Sequence, residues 1–286
     1  MLISRRRGRL QLVTHPDHGR LAGELCEQWG NDRFQVPAPG EALLTAAIHH
    51  DDGWGELDDR PAFNESQARP AHFLELALPD TAGPYARGVD TIYARDPYAG
   101  ALVSMHWAGL YRTRWGLQGG APVGHPLAAE IVAVQERRWT EALRDAWAGH
   151  GLRSEFEAAT WHAYEVLQAL DFISLALSLL DLGQPTEDAD AVAMPPTLPT
   201  IDQPPGGRVL PNVPTAAAGE HVDVSLQVTA AGHVTLDPYP LASPRVELTL
   251  PARELEDRRF ASEHDAAAAF HAAAPEPRTV VVEPAS

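Results

Sequence analysis

Apolar positions recur along the chain at two different periods. From residue 14 to about 183 they return every three or four residues, as on one face of a helix; beyond about residue 218 they alternate, as along a strand. The first thirteen residues stand apart. There Leu2-Ile3 and Leu10-Gln11-Leu12-Val13 flank an Arg/Gly turn and predict a short β-hairpin. The first helix opens at Thr14-His15-Pro16, a capping residue with proline in the first turn, and carries Leu21, Ala22, Leu25, Cys26 and Trp29 before Gly30-Asn31 stops it. A second runs from Glu41, apolar at 43, 44, 47 and 48, into His49-His50-Asp51-Asp52. Shorter helices are expected around 71–78 and 83–95, then a buried one from Ala99 to Tyr111 behind the stop-like Asp96-Pro97. An amphipathic helix follows from about Pro126 to Ala148, and a last long one runs from the capping box Ser154-Glu155-Phe156-Glu157 to Leu182.

Residues 184–217 turn to Pro, Thr, Asp and Gly and read as a linker or extended wrap. Past it, Val222, Val224, Leu226 and Val228 alternate, Ala230-Ala231-Gly232 turns into Val234-Thr235-Leu236, and Val246, Leu248, Leu250 and Val280-Val281-Val282 follow around an alanine-rich helix at about 262–273. The expectation is an α+β chain: a mainly helical core with its hairpin over 1–183, a linker over 184–217, and a β-rich region over 218–286. Its strands should form a small antiparallel sheet completed by the N-terminal hairpin, so that both ends of the chain share one β layer.

Composition narrows the function classes. All 22 basic residues are arginine, which excludes Schiff-base, pyridoxal-phosphate and P-loop lysines. Cys26 is the single cysteine, so disulfide frameworks, Cys-type zinc fingers and iron-sulfur clusters are excluded as well; on its apolar helix face it reads as a buried, inert thiol. A net charge of −17 argues against nucleic acid or an anionic membrane as partner, since a phosphate backbone needs a basic stripe. With no apolar leader and no run of about 20 apolar residues, a cytoplasmic protein acting on a small molecule is expected.

Candidate chemistry sits on the helices. Continuing the spacing of 43, 44, 47 and 48 turns His50 and Asp51 to the core, with His49 and Asp52 flanking. His18 shares a face with Leu21 and Ala22. Asp171 lies among Leu170, Phe172 and Ile173, and His106 lies between Met105 and Trp107. A buried carboxylate or imidazole costs several kcal/mol unless it is satisfied, and one divalent cation would satisfy these together. His15, His72, His125, His150 and His162 read as surface or capping residues.

In this order the segments His18-Gly19-Arg20-Leu21-Ala22, Ala46-Ala47-Ile48-His49-His50-Asp51-Asp52-Gly53 and Leu170-Asp171-Phe172-Ile173-Ser174 resemble the HD-domain superfamily of metal-dependent phosphohydrolases over about residues 14–183. Through Pro16-Asp17-His18, His50-Asp51-Asp52-Gly53-Trp54 and Asp96-Pro97-Tyr98-Ala99-Gly100 the chain also resembles an uncharacterised bacterial family of unknown function. The superfamily resemblance implies His18, His50, Asp51 and Asp171 as ligands of one, or with His106 two, divalent ions (Mn, Fe, Zn, Co or Ni). It implies hydrolysis of a phosphorylated metabolite or nucleotide by a metal-activated water, with Asp52 orienting or deprotonating that water and His106 donating to the leaving group or holding a second metal. Trp54 stands where many members carry lysine, so a cation for the phosphate would come from Arg20, Arg60, Arg69 or Arg114. A di-iron oxygenase and a non-catalytic, metal-stabilised module are the alternatives.

Overall fold

Strands β1 (Leu2–Arg6) and β2 (Arg9–Val13) pair antiparallel across Arg7 and Gly8. Both turn residues are left-handed, with φ of 49° and 75°, as a tight turn matching the strand twist requires. The computed structural model describes residues 1–148, 151–182, 192–193, 207–217 and 219–285. After the hairpin come α1 (His15–Glu27), α2 (Gly40–His49), a 3-10 turn, α3 (Gly55–Asp58), a two-residue hairpin of β3 (Phe63–Asn64) and β4 (Arg69–Pro70), α4 (Leu78–Arg95), α5 (Pro97–Leu110), α6 (Pro126–Trp147) and α7 (Arg153–Leu179). The rest is β5 (Val192–Ala193), β6 (Arg208–Ala216), β7 (Glu220–Ala230), β8 (His233–Asp237), β9 (Val246–Glu256), α8 (Glu263–Ala272) and β10 (Glu276–Pro284).

Helix α5 is the axis of the helical layer. Asp96 caps it by accepting from the backbone N–H groups of Tyr98 and Ala99, and every residue from Ala99 to Gly109 is buried, as suits a helix that is apolar all round. It packs against α2, α4, α6 and α7. Helices α1 and α7 join this layer to the sheet, α1 against β9 and α7 against β1 and β6. One continuous core results, reaching from Leu21 and Leu102 to Leu248 and Val282. On the other face of the hairpin, Ile3, Leu10 and Leu12 form a second cluster with Leu255, Phe260 and Phe270 beneath α8.

The α+β class holds, and both chain ends do share one sheet. That sheet exceeds the small antiparallel one expected: it has eight strands in the order β1-β2-β9-β10-β8-β7-β6-β5, with β10 parallel to β8 and β5 parallel to β6. Strand β6 occupies residues read as linker. Its alternation is hidden by Pro211, Asn212 and Pro214, which sit at the register shifts where β6 bulges against β7, the places where a strand tolerates proline. The two residues of β5 also fall in that expected linker, whereas its residues 184–191 and 194–206, and His150, lie outside the described residues.

Three helix boundaries differ from the sequence reading. Residues 71–77 hold only a 3-10 turn, Phe73–Glu75, while α4 starts at Leu78, five residues earlier than expected, and runs through Pro84, carried by Thr81, Tyr85, Val89 and Ile92 buried along one face. Helix α7 is preceded by Leu152 and has no side-chain cap, so Ser154 does not form the predicted capping box. It also ends at Leu179 rather than Leu182. No described helix is long and apolar enough to cross a membrane.

Candidate metal centre

The site forms where α1, α2 and α7 meet behind α4 and α5. Close backbone approach makes it possible: a Cβ on Gly19 would lie 2.4 Å from the Ile48 carbonyl oxygen, so glycine there lets α1 lie against the end of α2 and brings His18 to His50. A Cβ on Gly53 would lie 2.7 Å from the Tyr85 Cα, so the turn after Asp51 lies against α4 and Tyr85 reaches Asp51. The 27-residue α7 supplies Asp171 from its apolar half.

His18, His50, Asp51 and Asp171 are all buried, and a ligand atom from each lies within 4.8 Å of the others. His18 Nε2 is 3.2 Å from His50 Nε2 and 3.1 Å from Asp171 Oδ1. His50 Nε2 is 3.4 Å from Asp171 Oδ1 and 3.6 Å from Asp51 Oδ2, and His18 Nε2 is 3.9 Å from Asp51 Oδ2. Ligands about 2.1 Å from a tetrahedral ion lie about 3.4 Å apart, so these spacings fit a single ion at the centre.

The surrounding hydrogen bonds fix which atoms face inward. His50 Nδ1 donates to the Ala47 carbonyl at 2.9 Å. Ser174 Oγ donates to the Asp171 carbonyl and therefore accepts from His18 Nδ1, 2.9 Å away. With both Nδ1 atoms carrying hydrogen, the two Nε2 lone pairs converge. The carboxylates are tied in the same way: Tyr85 donates to Asp51 Oδ1 at 3.0 Å and Arg114 Nη1 pairs with Asp171 Oδ2 at 2.8 Å, leaving one oxygen of each pointing inward. Such outer partners orient metal ligands and tune their basicity.

Four lone pairs converging in a buried space repel one another unless a cation lies between them, and without a metal a proton takes that part. Burial alone would lower the His50 imidazole, but Asp51 and Asp171 outweigh it and push it up to about 9. Burial raises Asp171, and Arg114 with the His18 and His50 hydrogen bonds more than reverses this, holding it well below the usual carboxylate range. Asp51 is likewise held low against its burial, chiefly by His50. Tyr85 is raised well above its ordinary value by burial and the neighbouring Asp51 charge, so it stays a protonated donor.

His106 is beside this cluster, its ring centroid 4.9 Å from that of His50 and its Nδ1 facing Gln168. Burial pushes it down to about 3, so it is neutral. Asp52 points elsewhere: its carboxylate is partly exposed and bonded to His49 Nδ1 at 2.7 Å, and His49 Nε2 in turn meets Arg95. Of the four candidate arginines only Arg114 reaches the centre. Arg20 pairs with Asp17 and Arg69 with Glu75, and Arg60 is exposed. Cys26 is only partly buried, with its thiol pushed up to about 12 chiefly by burial.

Arg114 arrives by an unusual backbone. Thr113, Arg114 and Trp115 are left-handed in succession, with φ of 54°, 48° and 57°, a conformation costing about 1–2 kcal/mol per residue. Two further histidines depart from the sequence reading. His15 is buried, hydrogen-bonded to Asp58 at 3.0 Å and stacked on Trp54, and His162 is buried as well, because each lies on the inner face of its helix. His72 and His125 do cap helices, as expected.

A family model described as a protein of unknown function, DUF3891, matches residues 1–257. The chain belongs to the DUF3891 family. That span includes all four ligand-type residues and Arg114 and stops just beyond β9. No curated protein and no solved structure matches the chain of this DUF3891 protein.

Proposed function

We propose that this DUF3891 protein is an HD-like, metal-dependent phosphohydrolase acting on a small phosphorylated metabolite or nucleotide. The observation that carries the reading is the convergence of two Nε2 lone pairs and two carboxylate oxygens in a buried space. Two imidazoles and two carboxylates suit Mn, Fe, Zn, Co or Ni. A divalent ion bound there would supply Lewis acidity and make a water more acidic.

The protein's own groups set the charge of the loaded centre. Asp51 and Asp171 contribute −2, Arg114 contributes +1 and a dication +2, which sums to +1. Such a centre favours one negative charge beside it, as an attacking hydroxide or a phosphoryl oxygen brings. His106, held neutral, takes a hydrogen-bonding part on this reading rather than that of a proton donor. Asp52, turned away to His49 and through it to Arg95, takes no part in activating the water on this reading, and Asp52→Asn should leave both hydrolysis and bound metal unchanged.

Metal content of the purified protein beside a His50→Ala variant, together with phosphate release from p-nitrophenyl phosphate and a panel of phosphorylated metabolites, tests the reading. About one transition metal per chain, lost in the variant, with release that depends on it, is expected. A second reading, a metal-stabilised module without catalysis, is favoured by the depth of burial, and metal binding without any phosphate release would establish it. Absence of metal after reconstitution would reduce the four residues to a buried polar network.

A further inference from the structure

We propose that the Arg114 guanidinium occupies the place a second metal ion would take and so keeps the centre mononuclear. The inference rests on the metal-centre reading above and concerns how many ions it admits. Two ions in one centre lie about 3.5–4 Å apart, which calls for a carboxylate with one oxygen on each. Asp171 is the carboxylate placed for that duty. Its Oδ1 faces His18 and His50, and its Oδ2, the oxygen a second ion would need, is held by Arg114 Nη1 at 2.8 Å.

Residues of ligand type stand on the same side. His106 lies against His50, and Gln168, bonded to His106, also accepts from Arg114 Nη1. The position is therefore lined like a metal subsite and filled by a side chain whose charge is permanent. A second dication beside Arg114 would take the local charge from +1 to +3, with no third carboxylate in the described cluster to offset it.

The left-handed run at Thr113–Trp115 fits the same purpose. Strained backbone of this kind persists where its surroundings over-determine it, and here the run is anchored at Arg114 and at Trp115. The Arg114 guanidinium lies 4.2 Å from the centre of the Phe172 ring. Trp115 Nε1 donates to the Met105 carbonyl at 3.2 Å, and its ring packs edge-on against Trp139 and Trp161. The loop thus presents the guanidinium as a fixed part of the site.

The full chain, stripped of metal and reloaded with Mn2+, provides the test, read by elemental analysis and by electron paramagnetic resonance. Wild type is expected to bind about one Mn2+ per chain with the six-line spectrum of an isolated ion. Arg114→Met should approach two per chain and show the spectrum of a coupled pair, while Arg114→Lys, which keeps the charge, stays at one. Arg114→Ala, which likewise leaves Asp171 Oδ2 without its partner, replaces the Met variant if circular dichroism shows the latter unfolded, with the same two-ion expectation. Two ions in wild type, or one ion in the uncharged variant that folds, would overturn the proposal and leave the metal centre standing; no ion in wild type would overturn both.

Discussion

Each ligand-type residue at the centre has one polar atom tied outward and one left inward, and the tying residues differ in how visible they were in the sequence. His18, His50, Asp51 and Asp171 could be found because each interrupts an apolar face, where an unsatisfied polar group is costly. Ser174 and Tyr85 gave no such signal. Ser174 is one of several small polar residues in α7, and Tyr85 lies directly after a proline inside α4. Arg114 was only one of four candidate arginines, since spacing cannot show where a loop side chain points. Ser174→Ala should leave the fold intact and weaken metal binding about 10-fold, the low end for loss of such a partner. Competition against a chromophoric chelator checks this; unchanged affinity would mean that the Ser174 contact does not set the orientation of the His18 ring.

Among the elements, the pairing of α1 with α2 decides whether the two histidines meet. Gly19→Ala puts a methyl carbon 2.4 Å from a backbone oxygen that cannot turn aside, so the helices must separate. A loss of about 1–3 kcal/mol is expected, as for overpacked cores, with metal affinity falling in the same variant. Gly40→Ala, at the start of α2 with nothing within 4 Å, is the control and should stay within about 0.5 kcal/mol; equal urea midpoints for the two variants would refute the close-approach account. Periodicity revealed most helices because they are long and one-sided, and it failed where another signal overrode it. The helix expected from about 83 in fact starts at Leu78 and runs through Pro84, held by burial of Thr81 and Tyr85, and the prolines of β6 suggested a linker where bulges accommodate them.

At the scale of the whole molecule, buried histidines give stability a pH optimum. His72 and His106 are each pushed down to about 3 chiefly by burial, so below pH 6.5 the unfolded chain takes up protons that the folded one refuses. Stability then falls with falling pH, by about 1.4 kcal/mol per unit for each histidine. His50, raised to about 9, acts in the opposite sense: its contribution is complete below pH 6.5 and is lost as pH rises through 9. Metal-free protein should therefore be most stable near pH 6.5 in urea unfolding across pH 5–9, and saturating Mn2+ should flatten the alkaline limb by replacing the proton on His50. A flat profile without metal would contradict the buried, shifted state of these groups. The sheet was legible as alternation but not as an order, because strand sequence carries no record of which neighbour it pairs with. That order has a consequence for synthesis. Strand β10 lies between β9 and β8, so the half built on β1, β2 and β9 and the half built on β6, β7 and β8 have no mutual seam until residues 276–284 leave the ribosome. For the roughly 50 residues after β8, several seconds of translation, the nascent chain carries two open strand edges, which makes that interval the one in which a chaperone that shields edges would matter most.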